Sequence, residues 1–132
     1  MIFVSGATGF IGQRLILKLE GDVKILSRKL HSNYETVVCD LASDFIPENA
    51  LDGVDTVFHL AGFTHDLRNG PEVEHLYRAI NVSATMRLAE MSVAAGVGRF
   101  IFVSSVKAGG SSEDNVEWQP EGVYGQTKRE AE

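Results

Sequence analysis

Several features are scarce or missing in this chain, and each absence excludes a class of function or a cellular location. Cys39 is the only cysteine among 132 residues, so no disulfide can form within the chain and a reducing cytoplasm is the expected compartment. Acidic residues outnumber basic ones by 18 to 12, and the net charge of −6 argues against nucleic acid as a partner. No apolar run approaches the roughly 20 residues that cross a bilayer, so no membrane contact is predicted. The apolar start lacks a preceding charged segment and is interrupted by glycines, unlike a signal peptide.

The balance of residue types is that of one soluble globular domain. Hydrophobic residues make up 44% of the sequence and charged residues 23%. Neither repeats nor low-complexity tracts occur. A chain of 132 residues is long enough to bury a core of its own. We therefore expect a single domain over residues 1–132.

Short apolar runs alternate with helical patterns along the chain. Because the apolar runs show no polar alternation, we expect strands that are buried on both faces of a parallel sheet. The predicted strands are Ile2–Val4, Val23–Leu26, Thr36–Val38, Val54–His59 and Phe100–Val103. The predicted helices are Phe10–Leu19, Glu72–Ala95 and a last one that begins near Tyr124. This order predicts an α/β fold with a doubly wound parallel sheet.

The last part of the sequence predicts a loop and then a helix, and the way this helix ends indicates a piece of a longer protein. The stretch Lys107–Gly122 contains Gly-Gly-Ser-Ser and several carboxylates, which predicts a surface loop. The final helix starts near Tyr124 but meets no capping residue, and five strands are predicted where a dinucleotide fold usually has about six. We therefore expect a C-terminally truncated fold rather than a small complete domain with a frayed last helix.

Three glycines stand at the first strand-to-helix junction, in the run Gly6-Ala-Thr-Gly-Phe-Ile-Gly12. Gly6 permits a tight turn, and Gly12 lets helix and strand approach closely. Gly9 lacks the Cβ that would keep the main chain away from a phosphate, which would meet N–H groups at the start of the helix. Glycine triplets also occur in ordinary turns. The position of this one at the first strand-to-helix junction is what favours a dinucleotide site. The contacts predicted for the turn are Gly6, Thr8, Gly9, Phe10, Ile11 and Gly12.

Tyr124 and Lys128 form a Y-x-x-x-K pair in the last predicted helix. Side chains four residues apart lie on one face of a helix, so the two are neighbours there. An ammonium beside a phenol favours the phenolate, which lets a tyrosine act as a base near neutral pH. The same spacing is often only a pair of surface residues, and the pattern alone leaves both interpretations open.

Ser104 and Ser105 follow the fifth predicted strand, at the edge of a parallel sheet where ligands bind. A hydroxyl at this edge can hold a substrate oxygen in line for proton and hydride transfer. Because neighbouring strand residues point to opposite sides, we expect only one of the two serines to face such a site. Either serine can instead end the strand by bonding local backbone.

Six segments resemble, in order, the motifs of one enzyme family. The segments are Gly6-Ala-Thr-Gly-Phe-Ile-Gly12, Asp40-Leu41, His59-Leu-Ala-Gly62, Asn81-Val82, Phe102-Val-Ser-Ser105 and Tyr124-Gly-Gln-Thr-Lys128. The family is the extended short-chain dehydrogenase/reductases, the NAD(P)-dependent epimerase/dehydratase family. The resemblance covers nearly the whole chain and implies an NAD(P)-binding Rossmann domain over residues 1–132, with the substrate-binding region absent.

The resemblance implies a role for each catalytic candidate. Tyr124 would be the general acid/base, and Lys128 its electrostatic partner, which also bonds the nicotinamide ribose. Aligning the family's aromatic-Ile-aromatic-x-Ser-Ser run favours Ser105 over Ser104 as the catalytic hydroxyl. Asn81 resembles an asparagine that connects its helix to the lysine through water, although an exposed polar residue is the alternative.

The expected nucleotide contacts follow the second, third and fourth strands. The second strand runs into Ser27, Arg28 and Lys29 with no acidic residue to accept ribose hydroxyls, so a 2′-phosphate and NADP are favoured over NAD. Solvated loop charges are the alternative for the two cations. Asp40 resembles the family's adenine contact, and the alternative is a helix-cap or turn aspartate. The other implied cofactor contacts are Leu41, Leu60, Ala61, Gly62, Asn81, Tyr124 and Lys128.

The implied substrate is a nucleotide sugar, with chemistry at C4 of a UDP-sugar as the leading hypothesis. The outcome would be epimerisation, dehydration or reduction, and the family commonly forms homodimers through the two long helices. The alternative is a non-catalytic NAD(P)-binding module, and we expect this chain by itself to bind cofactor without turnover. His59 is expected to be a core histidine. No metal site is predicted, because no ligand spacing connects Cys39 with His31, His59, His65 or His75.

Overall fold

The structure is a computed structural model that describes residues 1–64, 71–109 and 119–132. These residues form two compact units. The first comprises Met1–Ala61 and Arg87–Val103, and the second comprises Gly62–Met86 and Ser104–Glu132.

The first unit contains a parallel sheet of five strands, in the order β3-β2-β1-β4-β5. The strands are β1 Ile2–Ser5, β2 Val23–Ser27, β3 Glu35–Val38, β4 Thr56–His59 and β5 Arg99–Phe102. Every neighbouring pair is parallel, and the register places Ser5 opposite both Leu26 and His59. The predicted doubly wound parallel sheet is confirmed, with strand ends shifted by one or two residues.

The core of this unit lies on both faces of the sheet. Phe3 and Val57 belong to one buried cluster, whereas Val4 and Ile25 belong to another. All four side chains are fully buried. Neighbours along a strand point to opposite faces, so burial of both Phe3 and Val4 accounts for apolar runs without polar alternation.

Two short helices of the first unit differ from the sequence prediction. Helix α1 spans Phe10–Ile16 and ends before the predicted Leu19, which packs on the Val4 cluster from the turn that follows. The apolar spacing in the sequence therefore extends beyond the last residue of the helix, which is why the predicted helix was too long. A 3₁₀ helix at Glu48–Leu51, which was not predicted, adds Leu51 to the core.

The predicted helix Glu72–Ala95 is interrupted. Helix α2 spans Pro71–Arg78, a π-helical turn follows at Ala79–Ser83, and helix α3 spans Ala84–Ala94. A π turn inserts one residue into the helical repeat and is frequent at functional sites. Gly96 follows with a φ of 70°, as expected for the residue that terminates a helix.

The last two helices belong to the second unit. Helix α4 spans Val106–Gly109, and helix α5 spans Gly122–Ala131. The prediction of a loop at Lys107–Gly122 is therefore wrong for residues 107–109 and for Gly122, and its residues 110–118 lie outside the described residues. Within the described part of the chain, no helix has the length and apolar character needed to span a membrane.

Candidate functional site

The glycine turn joins β1 to α1 in the first unit. Gly6 has a φ of 73°, and a Cβ on it would lie 2.6 Å from the Ala61 nitrogen. A Cβ on Gly12 would lie 2.1 Å from the Gly6 carbonyl oxygen, so α1 packs directly on the turn. Gly9 is exposed, and its N–H donates to the Gly6 carbonyl at 3.0 Å. The tight turn expected at Gly6 and the close approach expected at Gly12 are both observed.

The outer surface of the turn is open to solvent. Thr8, Phe10 and Ile11 are all exposed. Gln13 donates from Nε2 to the Thr8 carbonyl at 2.8 Å, and the Arg14 guanidinium lies 3.9 Å from the centre of the Phe10 ring. Gln13 of α1 thus bonds the main chain of the turn, a contact that the glycine spacing did not reveal.

Ser5, the last residue of β1, ties this strand to the end of β4. Its carbonyl accepts from the Leu60 N–H at 3.1 Å, and its hydroxyl oxygen accepts from the Ala61 N–H at 3.3 Å. The same hydroxyl forms a hydrogen bond of 2.5 Å with His59 Nδ1. His59 is fully buried and stacks on Phe102, with 5.8 Å between ring centroids. The prediction of a hydrogen-bonded core histidine at His59 is confirmed.

Ser27 ends β2 and is half-buried, whereas Arg28 and Lys29 are exposed. The Ser27 hydroxyl accepts from the Lys29 N–H at 3.3 Å, and the Ser27 carbonyl accepts from the Cys39 N–H at 3.0 Å. The hydroxyl therefore shapes the turn that carries the two cations. This placement is compatible with a phosphate site and with solvated loop charges.

Asp40 and Leu41 follow β3 in a loop that carboxylates stabilise. Asp40 accepts from the Ala42 N–H at 3.0 Å, and its own N–H donates to Asp44 at 2.7 Å. Leu41 packs against the core. Burial raises the pKa of the Cys39 thiol, and the charges of Asp44 and Asp40 add to this effect. Asp40 is thus a turn aspartate in this structure, and its adenine contact stays a prediction.

Asn81 lies in the π-helical turn of the second unit and is buried. Its Oδ1 accepts from the Phe63 N–H at 2.7 Å. Its Nδ2 donates to the Phe63 carbonyl and to the Thr127 hydroxyl, each at 3.1 Å. Gly62 lies close by, since a Cβ on it would be 3.4 Å from Asn81 Oδ1. The alternative of an exposed polar residue at Asn81 is therefore wrong. Its bonds to Phe63 and Thr127 were not predicted, and a polar residue inside a helical pattern was the one signal for them.

The two serines after β5 have different partners. Ser104 donates to Glu132 Oε1 at 2.5 Å. The Ser105 hydroxyl instead accepts from the Lys107 N–H at 3.3 Å, and its carbonyl accepts from the Ala108 N–H at 3.0 Å at the start of α4. The Ser104 proton is therefore given to a carboxylate, whereas the Ser105 proton has no acceptor among the described residues and can be donated to a ligand.

Gly125 allows α5 to lie directly on the segment that follows Ser105. A Cβ on Gly125 would lie 2.3 Å from the Lys107 carbonyl oxygen. The same carbonyl accepts from the Glu121 N–H at 2.9 Å, just before α5. A side chain here would displace the turn that carries Tyr124. Sequence reasoning treated Gly125 only as part of the Y-x-x-x-K spacing and missed this contact.

Tyr124 and Lys128 lie one turn apart on α5. Tyr124 is half-buried, and Lys128 is 3% exposed. Burial lowers the pKa of the Lys128 ammonium to about 8, although the charge of Glu132 opposes this shift. The helical arrangement predicted for the pair is observed.

An aromatic series holds the ring of Tyr124. Its centroid lies 6.5 Å from that of Tyr77, which is buried on α2. Tyr77 in turn meets the ring of Phe63 edge-on at 4.8 Å. Tyr77 was not predicted from the sequence. An aromatic residue on an amphipathic helix usually indicates only core packing.

One residue considered as a metal ligand, His65, lies outside the described residues. Within residues 1–64, 71–109 and 119–132, no three His, Cys, Asp or Glu side chains gather in a way that could hold a metal ion.

Comparison with known proteins adds to this geometry. The model of the NAD dependent epimerase/dehydratase family matches residues 2–132. The chain belongs to this family. The family assignment made from the six ordered segments is therefore confirmed, and so is the Rossmann-type α/β fold that it implies.

Two curated members illustrate the range of the similarity. UDP-glucose 4-epimerase of Vibrio cholerae is 34% identical, over 99% of this chain and 44% of its own length. The 3-beta-hydroxysteroid dehydrogenase of Mycolicibacterium neoaurum is 32% identical, over 79% of this chain and 31% of its own length. The chain thus spans less than half the length of these relatives.

Solved structures of the family share the fold. MoeE5 in complex with UDP-glucose and NAD superposes with a TM-score of 0.82 at 32% identity, covering 98% of this chain and 46% of that one. A short-chain dehydrogenase/reductase superfamily protein of Agrobacterium tumefaciens with bound NAD gives a TM-score of 0.82 at 29% identity, covering 99% of this chain and 42% of that one.

Proposed function

We propose that this chain is the NAD(P)-binding part of an enzyme that acts at C4 of a UDP-sugar. The names of two relatives support this choice, since one is a UDP-glucose 4-epimerase and the other is a structure with UDP-glucose and NAD. The observation that carries the proposal is the pair on α5, where Tyr124 lies one turn from the buried ammonium of Lys128.

The glycine turn fits a dinucleotide. Cβ atoms on Gly6 and Gly12 would overlap the main chain, whereas the outer surface at Gly9 is exposed, as a close phosphate contact requires. In the proposed site, the N–H groups of this turn bind the pyrophosphate. Leu60 and Ala61 line the riboses, and Asp40 with Leu41 lies at the adenine.

The residues of the second unit handle the proton. When bound, the nicotinamide supplies an acceptor and a donor of hydride. Tyr124 Oη would take the proton of the substrate hydroxyl and would later return a proton to the same oxygen. The Lys128 ammonium favours the phenolate form of Tyr124 and bonds the ribose. Ser105 donates to the reacting oxygen and holds it in line.

Cofactor preference is a separate part of the proposal. The solved relatives named above carry NAD. In this chain Ser27 ends β2, and Arg28 and Lys29 follow it, a pattern that favours a 2′-phosphate. We therefore expect binding of both dinucleotides, with NADP preferred. Arg28→Ala should weaken NADP binding about tenfold and leave NAD binding unchanged, because one charge-assisted contact to phosphate is lost.

A second candidate function is dehydrogenation of a hydroxysteroid. It is favoured by the 32% identity to a 3-beta-hydroxysteroid dehydrogenase, which uses an apolar substrate in place of a sugar nucleotide. A non-catalytic NAD(P)-binding module is the third. The Tyr124, Lys128 and Ser105 set argues against it, because a pure binder needs none of these groups.

The test compares substrates and cofactors in one panel. The complete product of the gene is incubated with UDP-glucose, UDP-glucuronic acid or a 3β-hydroxysteroid, each with NAD or NADP, and products are identified by proton NMR. We expect a change at C4 of a UDP-sugar. Turnover of the steroid alone would overturn the proposal in favour of the second function, and binding without any turnover would favour the module.

The same panel is run with the 132-residue chain alone. For this form we expect dinucleotide binding, which is measured by fluorescence, and we expect no turnover. A turnover rate equal to that of the complete gene product would show that residues 1–132 contain the whole active site.

We also propose a homodimer. Two apolar side chains of α3, Met86 and Val93, are exposed to 47% and 82% and are the candidates for this interface. Light scattering of the complete gene product should give twice the mass of one chain. A monomer at high concentration would contradict this.

A further inference from the structure

A chain of hydrogen bonds connects the start of α5 to the main chain at Phe63. All of its members belong to the second unit. The Thr127 hydroxyl lies 2.9 Å from the Val123 carbonyl oxygen and 3.1 Å from the Tyr124 carbonyl oxygen. It also lies 3.1 Å from Asn81 Nδ2. Thr127 is 1% exposed, so water does not compete for these bonds.

The chemistry of the donors and acceptors determines the direction of every bond. The Phe63 N–H requires the amide oxygen of Asn81, and the Phe63 carbonyl requires its amide nitrogen, so the orientation of the Asn81 amide is set. The second Nδ2 proton of Asn81 is donated to Thr127. The hydroxyl proton of Thr127 is therefore left for the carbonyls of α5, and Thr127 connects Asn81 to the turn that carries Tyr124.

The ring of Tyr124 is linked to the same residue by a second route. Phe63 packs edge-on against Tyr77, and Tyr77 lies beside the ring of Tyr124. The main chain of Tyr124 is thus joined to the Phe63 backbone through Thr127 and Asn81, and its ring is joined to the Phe63 ring through Tyr77. Tyr124 is therefore linked to Phe63 by two routes, one through its main chain and one through its ring.

We propose that Thr127 is a positioning residue for the acid/base Tyr124. A threonine hydroxyl that donates to the carbonyl four residues earlier bends the helix at that point. Here the accepting carbonyls are those of Val123 and Tyr124, so the hydroxyl that Asn81 holds acts on the turn that carries Tyr124. The inference rests on the proposed function, because it assigns Thr127 to the reaction that Tyr124 performs.

The first experiment measures hydrogen exchange of the Phe63 amide by NMR and does not depend on turnover. Thr127→Val keeps the shape of the side chain but removes the hydroxyl, so Asn81 loses an acceptor and holds Phe63 less firmly. We expect exchange of the Phe63 amide to become about five- to tenfold faster. Thr127→Ser keeps the hydroxyl and should restore the wild-type rate. Equal acceleration in the Val and Ser variants would overturn the inference.

The second experiment measures kcat and KM of the complete gene product, with the substrate found for its wild-type form. Thr127→Val should lower kcat about 10- to 100-fold through misplacement of the phenol, with KM for the dinucleotide within about twofold. Thr127→Ser should recover most of kcat. The matched control is Ser92→Ala, since Ser92 is buried and donates to the Leu88 carbonyl at 2.7 Å, four residues earlier, but belongs to the first unit. Its kcat should equal that of the wild type.

Two outcomes separate this inference from the proposed function. If the wild type has no turnover, the proposed function is wrong and the role of Thr127 in catalysis is wrong with it, while the exchange data still decide whether Thr127 holds Phe63. If the wild type turns over and Thr127→Val keeps its kcat, Thr127 has no positioning role. Should Thr127→Val not fold, Thr127→Ala removes the same hydroxyl without a β-branched side chain and takes its place in both experiments.

Discussion

The surface of the glycine turn in the first unit is formed by main-chain atoms, whereas the α5 region of the second unit is held together by side chains. At the turn the main chain itself forms the surface, and side chains are excluded, since a Cβ on Gly12 would lie 2.1 Å from a carbonyl oxygen. In the α5 region, buried polar side chains bond one another, with Asn81 and Thr127 as the clearest pair. The first arrangement tolerates change in the flanking side chains, whereas the second depends on the identity of each one.

The largest effect is expected at Gly12. Gly12→Ala places a Cβ against main-chain atoms that cannot rotate away, so we expect a loss of about 3 kcal/mol or more in the free energy of unfolding and loss of dinucleotide binding. Gly98→Ala is the matched control, because its Cβ would meet only an ordinary contact at 3.6 Å. Urea unfolding measures both variants. Equal stability of the two would mean that α1 does not pack on the turn as described.

A smaller effect is expected in the α5 region. Asn81→Leu removes the partner of the Phe63 N–H and carbonyl and of the Thr127 hydroxyl, and we expect a loss of about 2–3 kcal/mol. Asn49→Leu, at an exposed position of the 3₁₀ helix, should change stability by less than about 0.5 kcal/mol. Thermal and urea unfolding provide the comparison. A loss at Asn81 no greater than at Asn49 would show that its bonds do not stabilise the fold.

A third effect, which depends on pH, concerns the stability contributed by Lys128. Burial lowers its folded-state pKa from 10.5 to about 8, so between these values the unfolded chain binds a proton that the folded chain has released. The destabilising effect of the buried charge is fully present below pH 8 and is relieved as the pH rises towards 10.5. The free energy of unfolding, measured relative to Lys128→Met, should therefore rise over this range.

The control for this prediction is Lys18→Met, which alters an exposed lysine of the first unit. Its pH profile should be parallel to that of the wild type. A wild-type profile parallel to that of Lys128→Met would mean that Lys128 is not desolvated in the folded protein.

The sequence predicted the sheet and the glycine turn because both depend on local patterns. Unbroken apolar runs such as Ile2–Val4 indicate strands that are covered on both faces, and the spacing of Gly6 and Gly12 indicates where a Cβ has no room. The family motifs carried the assignment of Tyr124 and Lys128. These features are all encoded within a few neighbouring residues.

The remaining features depend on contacts between distant segments, which periodicity does not report. The break in the helix Glu72–Ala95 occurs at the π-helical turn, where Asn81 bonds Phe63 and Thr127. The role of Gly125 appears only when α5 meets the Lys107 carbonyl. Likewise, the bond between Ser5 and His59 follows from strand register, which a single sequence does not define.

The most direct test of the account measures binding and turnover on one variant, Tyr124→Phe, with Tyr34→Phe of the first unit as control. Removal of the Tyr124 hydroxyl should lower kcat about a hundredfold to ten-thousandfold, because the acid/base group is lost. The Kd for the dinucleotide should stay within about twofold, because the glycine turn is unchanged. Tyr34→Phe should match the wild type in both. Full turnover by Tyr124→Phe would contradict the proposed function.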